Sequence, residues 1–245
     1  VAIRAETYAL ARPIPYLLQQ QPATQDVEFP LRHGSSGALI EPTSGTAIVS
    51  RPNDEEFSSG AVAVASSVAS YTVPDTSAED VGAQWTIAVD LTIAAKSYKY
   101  RRGAYLCEYV PPCPISVLDL YGRVPELEGR IPHRQGPTGT GEGWQPQIDA
   151  AYYEFLRLLI ADARPIWLLR SAEDYYDFVR LRACELAAKA IPAARDSSWD
   201  VERRILWSEA EGAKGRIRLE YTTDRGHRSA GEGPIRTVPA GRPLW

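Results

Sequence analysis

The period of the apolar residues changes across Arg101–Leu127, RRGAYLCEYVPPCPISVLDLYGRVPEL, and this change limits the possible folds more than any other feature of the chain. Before the stretch, apolar residues mostly alternate with polar ones; after it they recur at steps of three and four, so the period of strands gives way to the period of helices. Within it, Pro111, Pro112 and Pro114 exclude a continuous helix, because proline lacks an amide donor and pushes the preceding residue into extended geometry. Ser116 and Asp119 then stand in capping-box spacing ahead of Val117, Leu118, Leu120 and Tyr121, which predicts a short helix stopped by Pro125.

Upstream, the spacing predicts short strands at Tyr16–Gln20, Asp26–Leu31, Ala38–Ile40, Thr46–Ser50, Ala61–Ala65 and Val68–Val73, with small-residue turns such as GSSG and PTSG among them. The clearest strand is Trp85–Ile93, where Trp85, Ile87, Val89, Leu91 and Ile93 share one face. Lys96–Arg101 pairs with it across Ala94–Ala95 as a hairpin. About seven or eight strands in the first hundred residues predict an antiparallel β-sandwich or small barrel over residues 1–110.

Downstream, residues 111–143 hold the hinge, the short helix and a loop, Gly129–Gly143, rich in glycine. Trp144 and Gln145 follow its last glycine where a phosphate-binding loop needs Lys and Ser or Thr, so the loop is read as a linker. Residues 144–215 predict a helical bundle. A stripe of Trp144, Ile148, Tyr152, Phe155 and Leu159 predicts its first helix, Gln147–Asp162. The second is capped by Ser171 with Asp174 and carries Tyr175, Phe178, Val179, Arg182 and Leu186. The third is capped by Ser197 with Asp200 and carries Val201, Ile205, Leu206 and Ser208. Residues 216–245 predict one strand, marked by Ile217, Leu219 and Tyr221, and then an extended C-terminal arm. From Ala213 onward, seven Lys and Arg against three Asp and Glu give 7 − 3 = +4, in a chain of net charge −4. The whole is an α+β fold.

A net charge of −4 argues against wholesale wrapping of nucleic acid or adhesion to an anionic membrane. No apolar run is long enough to span a membrane and the opening lacks the order of a signal peptide, so a cytoplasmic product is expected, its initiator methionine removed. Three cysteines, Cys107, Cys113 and Cys184, make an odd count that points to free thiols. The three histidines are scattered and the cysteines lack metal-ligand spacing, so no metal and no cofactor are expected. No GxSxG, HExxH or repeated ExxH pattern occurs, and no enzymatic activity is expected.

The order WTIAVDLTI, YKYRRGAYLCEYV, a proline-rich turn and SVLDLYGRVPEL resembles the head-to-tail adaptor, or connector, proteins of tailed bacteriophages. Relatives carry an R-R-x-A-x-L-V-like strand, a tyrosine-proline turn and a D-L-Y-x-R-x-P-x-L-like helix. The matching residues are Arg101, Arg102, Ala104, Leu106, Pro111, Pro112, Asp119, Leu120, Tyr121, Arg123, Pro125 and Leu127, and the likeness continues through IDAAYYEFLRLLIADARPIWLLRSAEDYYDFVRLRACELAAKAI. It departs at Cys107, Cys113 and the additional prolines.

The resemblance implies a structural subunit of the virion neck, assembled from the host cytoplasm into a ring of about twelve copies beneath the portal protein. Implied partners are the portal, a tail-side stopper or tail-terminator protein and, transiently and without base specificity, the passing DNA; no membrane is involved. The arm residues Arg225, Arg228, Ile235, Arg236, Arg242, Leu244 and Trp245 are expected to clasp the portal, since Arg and Trp are frequent interface anchors. Ring contacts are expected from Arg157, Arg180, Arg182, Arg203 and Arg204 against Glu154, Glu173, Asp174 and Asp177. An alternative is a virion-associated β-sandwich that binds a fibre, a glycan or a host surface. A third reading, an enzyme using Cys107 or Cys113 as nucleophile, requires an accessible, activated thiol.

Overall fold

The computed structural model describes residues 8–10, 14–33, 39–65, 68–130, 143–191, 198–222 and 229–234, with backbone alone at Ala9 and 229–234. It is mixed α and β, with strands in the N-terminal half and helices in the C-terminal half. Two compact units divide the chain, Val1–Val110 and Pro111–Trp245.

The first unit holds β1 (Tyr8–Leu10), β2 (Tyr16–Gln19), β3 (Gln25–His33), β4 (Ser44–Ser50), β5 (Glu56–Ala61), β6 (Ala63–Ala65), β7 (Val68–Val73), β8 (Gly82–Ile93) and β9 (Lys96–Cys107). They form two sheets, in the orders β2-β9-β8-β4-β5 and β1-β3-β7-β6. The alternation of β8 puts Trp85, Ile87, Val89, Leu91 and Ile93 into the core, where they meet Phe29, Leu31, Val73 and Leu106 in one cluster fed by both sheets. Burying each such side chain contributes about 1.5–3 kcal/mol. The sheets curl because one run of chain serves both: β5 ends at Ala61, the Val62 amide donates to the Gly45 carbonyl at 2.9 Å, and β6 begins at Ala63 against β7. Gly45 is required at this crossing. A Cβ there would lie 2.5 Å from Leu91 Cδ2, 2.7 Å from Val62 Cγ2 and 2.8 Å from the Asp90 carbonyl.

Three expectations for this half need correction. β2 lies parallel to β9, from Tyr16 beside Ala104 to Gln19 beside Cys107, so the unit is not wholly antiparallel; no local turn joins these strands, so none sets their direction. Ala61–Ala65 is not one strand but is broken at Val62 by the change of sheet. Of Ala38–Ile40, only a bridge between Leu39 and Arg32 is formed, Ala38 lying outside the described residues. The hairpin turn at Ala94 and Ala95, with φ of 47° and 63°, matches the left-handed pair that a two-residue connection needs.

The second unit holds α1 (Val117–Arg123), a 3₁₀ turn (Pro125–Leu127), α2 (Gln145–Ile160), a second 3₁₀ turn (Ile166–Leu168), β10 (Leu169–Glu173), α3 (Tyr176–Ala190), α4 (Ser198–Lys214), β11 (Arg218–Thr222) and β12 (Ser229–Pro234). α3 packs against α1, α2 and α4. Ile148, Phe155 and Leu159 of α2, Phe178, Val179 and Cys184 of α3, and Leu206 and Ala210 of α4 are buried. Phe155 stacks on Tyr175 with ring centroids 4.6 Å apart.

β10, β11 and β12 form an antiparallel sheet: β11 is the strand expected around Leu219 and Tyr221, β10 interrupts the region expected to be a helical bundle, and the segment expected to be an arm contributes a strand at Ser229–Pro234. The cap expected from Ser171 and Asp174 is absent. Ser171 pairs with Glu220 in the sheet, Asp174 takes a left-handed φ of 58°, and α3 starts after Tyr175. Ser197 lies outside the described residues, while Asp200 does occupy the first turn of α4.

Candidate functional site

The residues shared with the adaptor pattern fall in both units. Arg101, Arg102 and Leu106 belong to β9. Leu106 is buried, Arg101 pairs with Asp54 across an exposed surface, and Arg102 is exposed. Ala104 is also in β9 and Pro111 and Pro112 precede α1, while Asp119, Leu120, Tyr121, Arg123, Pro125 and Leu127 lie on α1 and the 3₁₀ turn after it, where they clasp the helices.

Ser116 precedes α1 in extended geometry, and its amide and hydroxyl donate to Asp119 Oδ2 at 2.7 and 2.8 Å. The hydroxyl of Tyr176, at the start of α3, donates to Asp119 Oδ1 at 2.7 Å. The Tyr176 bond first, and then the Ser116 donors, hold the Asp119 carboxyl below its ordinary range; the same carboxylate raises the Tyr176 phenol. At the other end of α1, Arg123 reaches Glu209 at 2.9 Å and Glu202 at 3.5 Å, both on α4. These acids raise the Arg123 pKa. Leu120 and Leu127 are buried, Tyr121 is half-buried, Pro125 opens the 3₁₀ turn, and the Leu127 carbonyl accepts the Trp144 indole N–H at 3.2 Å. The pattern therefore works as an anchor: a capped helix pinned to α3 by one end and to α4 by the other.

The preceding prolines are held too. The Tyr152 hydroxyl donates to the Pro111 carbonyl, and the Tyr175 hydroxyl to the Pro112 carbonyl at 2.9 Å.

The charges expected to pair between subunits are largely used within one. Arg182 bonds Glu154 at 2.8 Å and Glu185 at 3.0 Å, linking α2 to α3. Arg203 bonds Asp200 at 2.9 Å, Arg204 bonds Asp200, and Arg180 bonds Asp177 at 3.3 Å. Arg204 first, then Arg203, pull the Asp200 carboxyl down to about 2. Sequence spacing gave no sign of a further group. Asp162 is buried, accepts Arg164 Nη2 at 3.0 Å, and carries that guanidinium 4.4 Å above the Tyr221 ring.

A few large apolar side chains are also exposed. Of the residues expected on the core side of α4, Leu206 is buried, together with Ala210 and Ala213, whereas Val201 and Ile205 are 48% and 43% exposed and Ser208 is exposed too. A step of four places Val201 and Ile205 above one another, and Ser208 and Gly212 continue that row. Leu118 on α1 and Trp207 on α4 are 76% and 52% exposed.

Among the described residues no three of His, Cys, Asp and Glu form a metal-binding group, and no helix is long and apolar enough to cross a membrane. Burial pushes the Cys107 thiol up to about 12, and Cys184 likewise, so neither supplies a thiolate near neutral pH; Cys113 is also raised by burial. The expected arm anchors Arg225, Arg228, Ile235, Arg236, Arg242, Leu244 and Trp245 lie outside the described residues.

No family model matches the chain, and no curated protein matches it. Among solved structures, an engineered protein is 13% identical with a TM-score of 0.28, over 42% of this chain and 20% of that one. A complex of titin M10 with an obscurin-like 1 immunoglobulin domain is 10% identical with a TM-score of 0.27, over 44% of this chain and 99% of that one. At such scores neither likeness bears on fold or function.

Proposed function

We propose that this chain is a structural subunit of a tailed-phage virion, a head-to-tail adaptor that forms a ring below the portal and lines the DNA channel. The observation that carries the proposal is the exposed apolar pair Val201 and Ile205 on α4, a helix whose Asp200, Glu202, Arg203, Arg204 and Glu209 already have partners within the subunit. A ring needs one face of each subunit to meet a different face of the next, and such a pair supplies one of the two. The adaptor-like motif supports the reading because its residues pin α1 beside that helix. In this reading α2, α3 and α4 form a bundle wall and the residues after Pro234 act as the portal-clasping arm.

The test is particle mass and rotational symmetry, for the purified protein alone and mixed with a portal ring. A ring of about twelve copies on the portal is the expected result; a monomer under both conditions refutes the adaptor reading. Truncation after Pro234 keeps β12 and removes Ile235–Trp245. It should leave the fold intact and abolish stable attachment, and unchanged attachment would refute the arm.

A further inference from the structure

We infer that the free edge of β9 at Lys96–Gly103 is a docking site for an acidic, extended peptide segment of a partner protein, which adds to the sheet as a strand. β9 pairs with β8 along Lys96–Leu106, but its other edge pairs with β2 only from Ala104 to Cys107. Among the described residues no strand lies along the edge from Lys96 to Gly103. Which backbone groups face that edge follows from the turn. Across a two-residue connection Ile93 and Lys96 form a hydrogen-bonded pair, so bonded pairs recur at Tyr98, Tyr100 and Arg102, and the amides and carbonyls of Ser97, Lys99, Arg101 and Gly103 point away from β8. The pairing with β2 has the same phase, since the Cys107 carbonyl accepts the Gln20 amide at 2.7 Å. The open row thus continues a ladder that β2 already uses, and outward amides and carbonyls are what strand addition employs.

The edge is held ready by its inner face. The Tyr100 hydroxyl donates to the Tyr8 carbonyl at 3.1 Å, and Tyr98 meets Tyr8 edge-to-face at 5.0 Å. Charge selects the occupant. Lys96, Lys99, Arg101 and Arg102 all lie on this segment, with only Asp90 and Asp54 paired to Lys99 and Arg101. A second copy of the same edge would bring like charges opposite one another, which is unfavourable across strands, whereas a strand bearing alternate acids would place them opposite Lys99 and Arg101. This inference goes beyond the adaptor reading and does not depend on it.

The probe is a fluorescent octapeptide of alternating glutamate and valine, titrated into the full chain and followed by anisotropy. Its lysine–valine counterpart and a short oligothymidylate are titrated in parallel. The acidic peptide should bind, and neither of the others should. Ser97→Pro removes one outward amide without touching the ladder to β8 and should weaken binding about ten-fold. Lys99→Glu with Arg101→Glu, both exposed, should weaken it by a similar factor, and protected Trp85–Ile93 amides in hydrogen exchange verify that each variant keeps its sheet. Three results would overturn the inference: equal binding of the lysine peptide, acidic-peptide binding that is indifferent to Ser97→Pro, or preference for the oligothymidylate. The last would make this strand a phosphate-binding patch.

Discussion

Gly45→Ala adds one methyl group at the point where β5 gives way to β6, and its cost can be worked from three distances. The new Cβ meets Leu91 Cδ2 at 2.5 Å, Val62 Cγ2 at 2.7 Å and the Asp90 carbonyl at 2.8 Å. All three fall well inside the ordinary carbon contact of about 3.5–4.0 Å. Leu91 is fully buried and Val62 nearly so, and Asp90 is tied into the ladder opposite Thr46, so none can retreat by the required distance without moving a strand. Inserting a methyl group into a packed core costs about 1–3 kcal/mol, and a clash that includes backbone belongs at the upper end. The assay is denaturant unfolding of the full chain, with hydrogen exchange on the β4 and β8 amides assigning the loss to the first unit. Leu91→Val in the same chain removes one clashing methyl and should recover part of the loss, giving a favourable coupling in a double-mutant cycle. A loss below about 0.5 kcal/mol, or strictly additive effects, would refute the packing argument.

Other consequences can be measured as directly. Ala94→Asn with Ala95→Gly puts the residues that a type I′ turn prefers at φ of 47° and 63°, and should stabilise the first unit by about 1 kcal/mol, read from the denaturation midpoint. Asp200 titrates lower folded than unfolded, so its contribution is complete above about pH 4 and is lost as the pH falls toward 2; Asp200→Asn should flatten that part of the acid-unfolding curve of the second unit. Val201→Glu with Ile205→Glu places charge on exposed positions, so circular dichroism should be unchanged while ring formation on the portal is lost. Thiol labelling of the folded protein should reach Cys113 well before Cys107 or Cys184, which are buried.

How much was legible depended on where the stabilising partner lay. β8 was plain because every second residue from Trp85 to Ile93 enters the core, and α1 because Ser116 and Asp119 satisfy each other locally. β10 was not. Only Leu169 and Ala172 are buried in it, and a register shift between Leu169 and Ser171 erases the alternation. Its bonding partners come from β11, far along the chain, and Ser171 near Asp174 imitates a helix cap when Ser171 in fact donates to Glu220 at 3.3 Å. The apolar spacing of α4 reads as one core stripe, but it contains two sides, and only packing shows that Leu206 faces inward while Ile205 does not. Of the candidate sites, the α1 residues could be read as capping and packing positions. The Tyr176 and Glu209 partners that turn them into an anchor lie on α3 and α4 and left no mark in the spacing.

The parallel pairing of β2 with β9 also sets a schedule. Tyr16–Gln19 leaves the ribosome well before its partner, and its place in the sheet is created only when Ala104–Cys107 arrives. Until then the nascent chain carries a strand with Tyr16 and Leu18 destined for the core and no neighbour to pair with. Such long-range pairing slows folding and exposes unpaired edges to other chains. The β8–β9 hairpin, closed by its own two-residue turn, is thus the step that completes the first unit during synthesis, and a ribosome paused before Cys107 would hold a chain prone to aggregate.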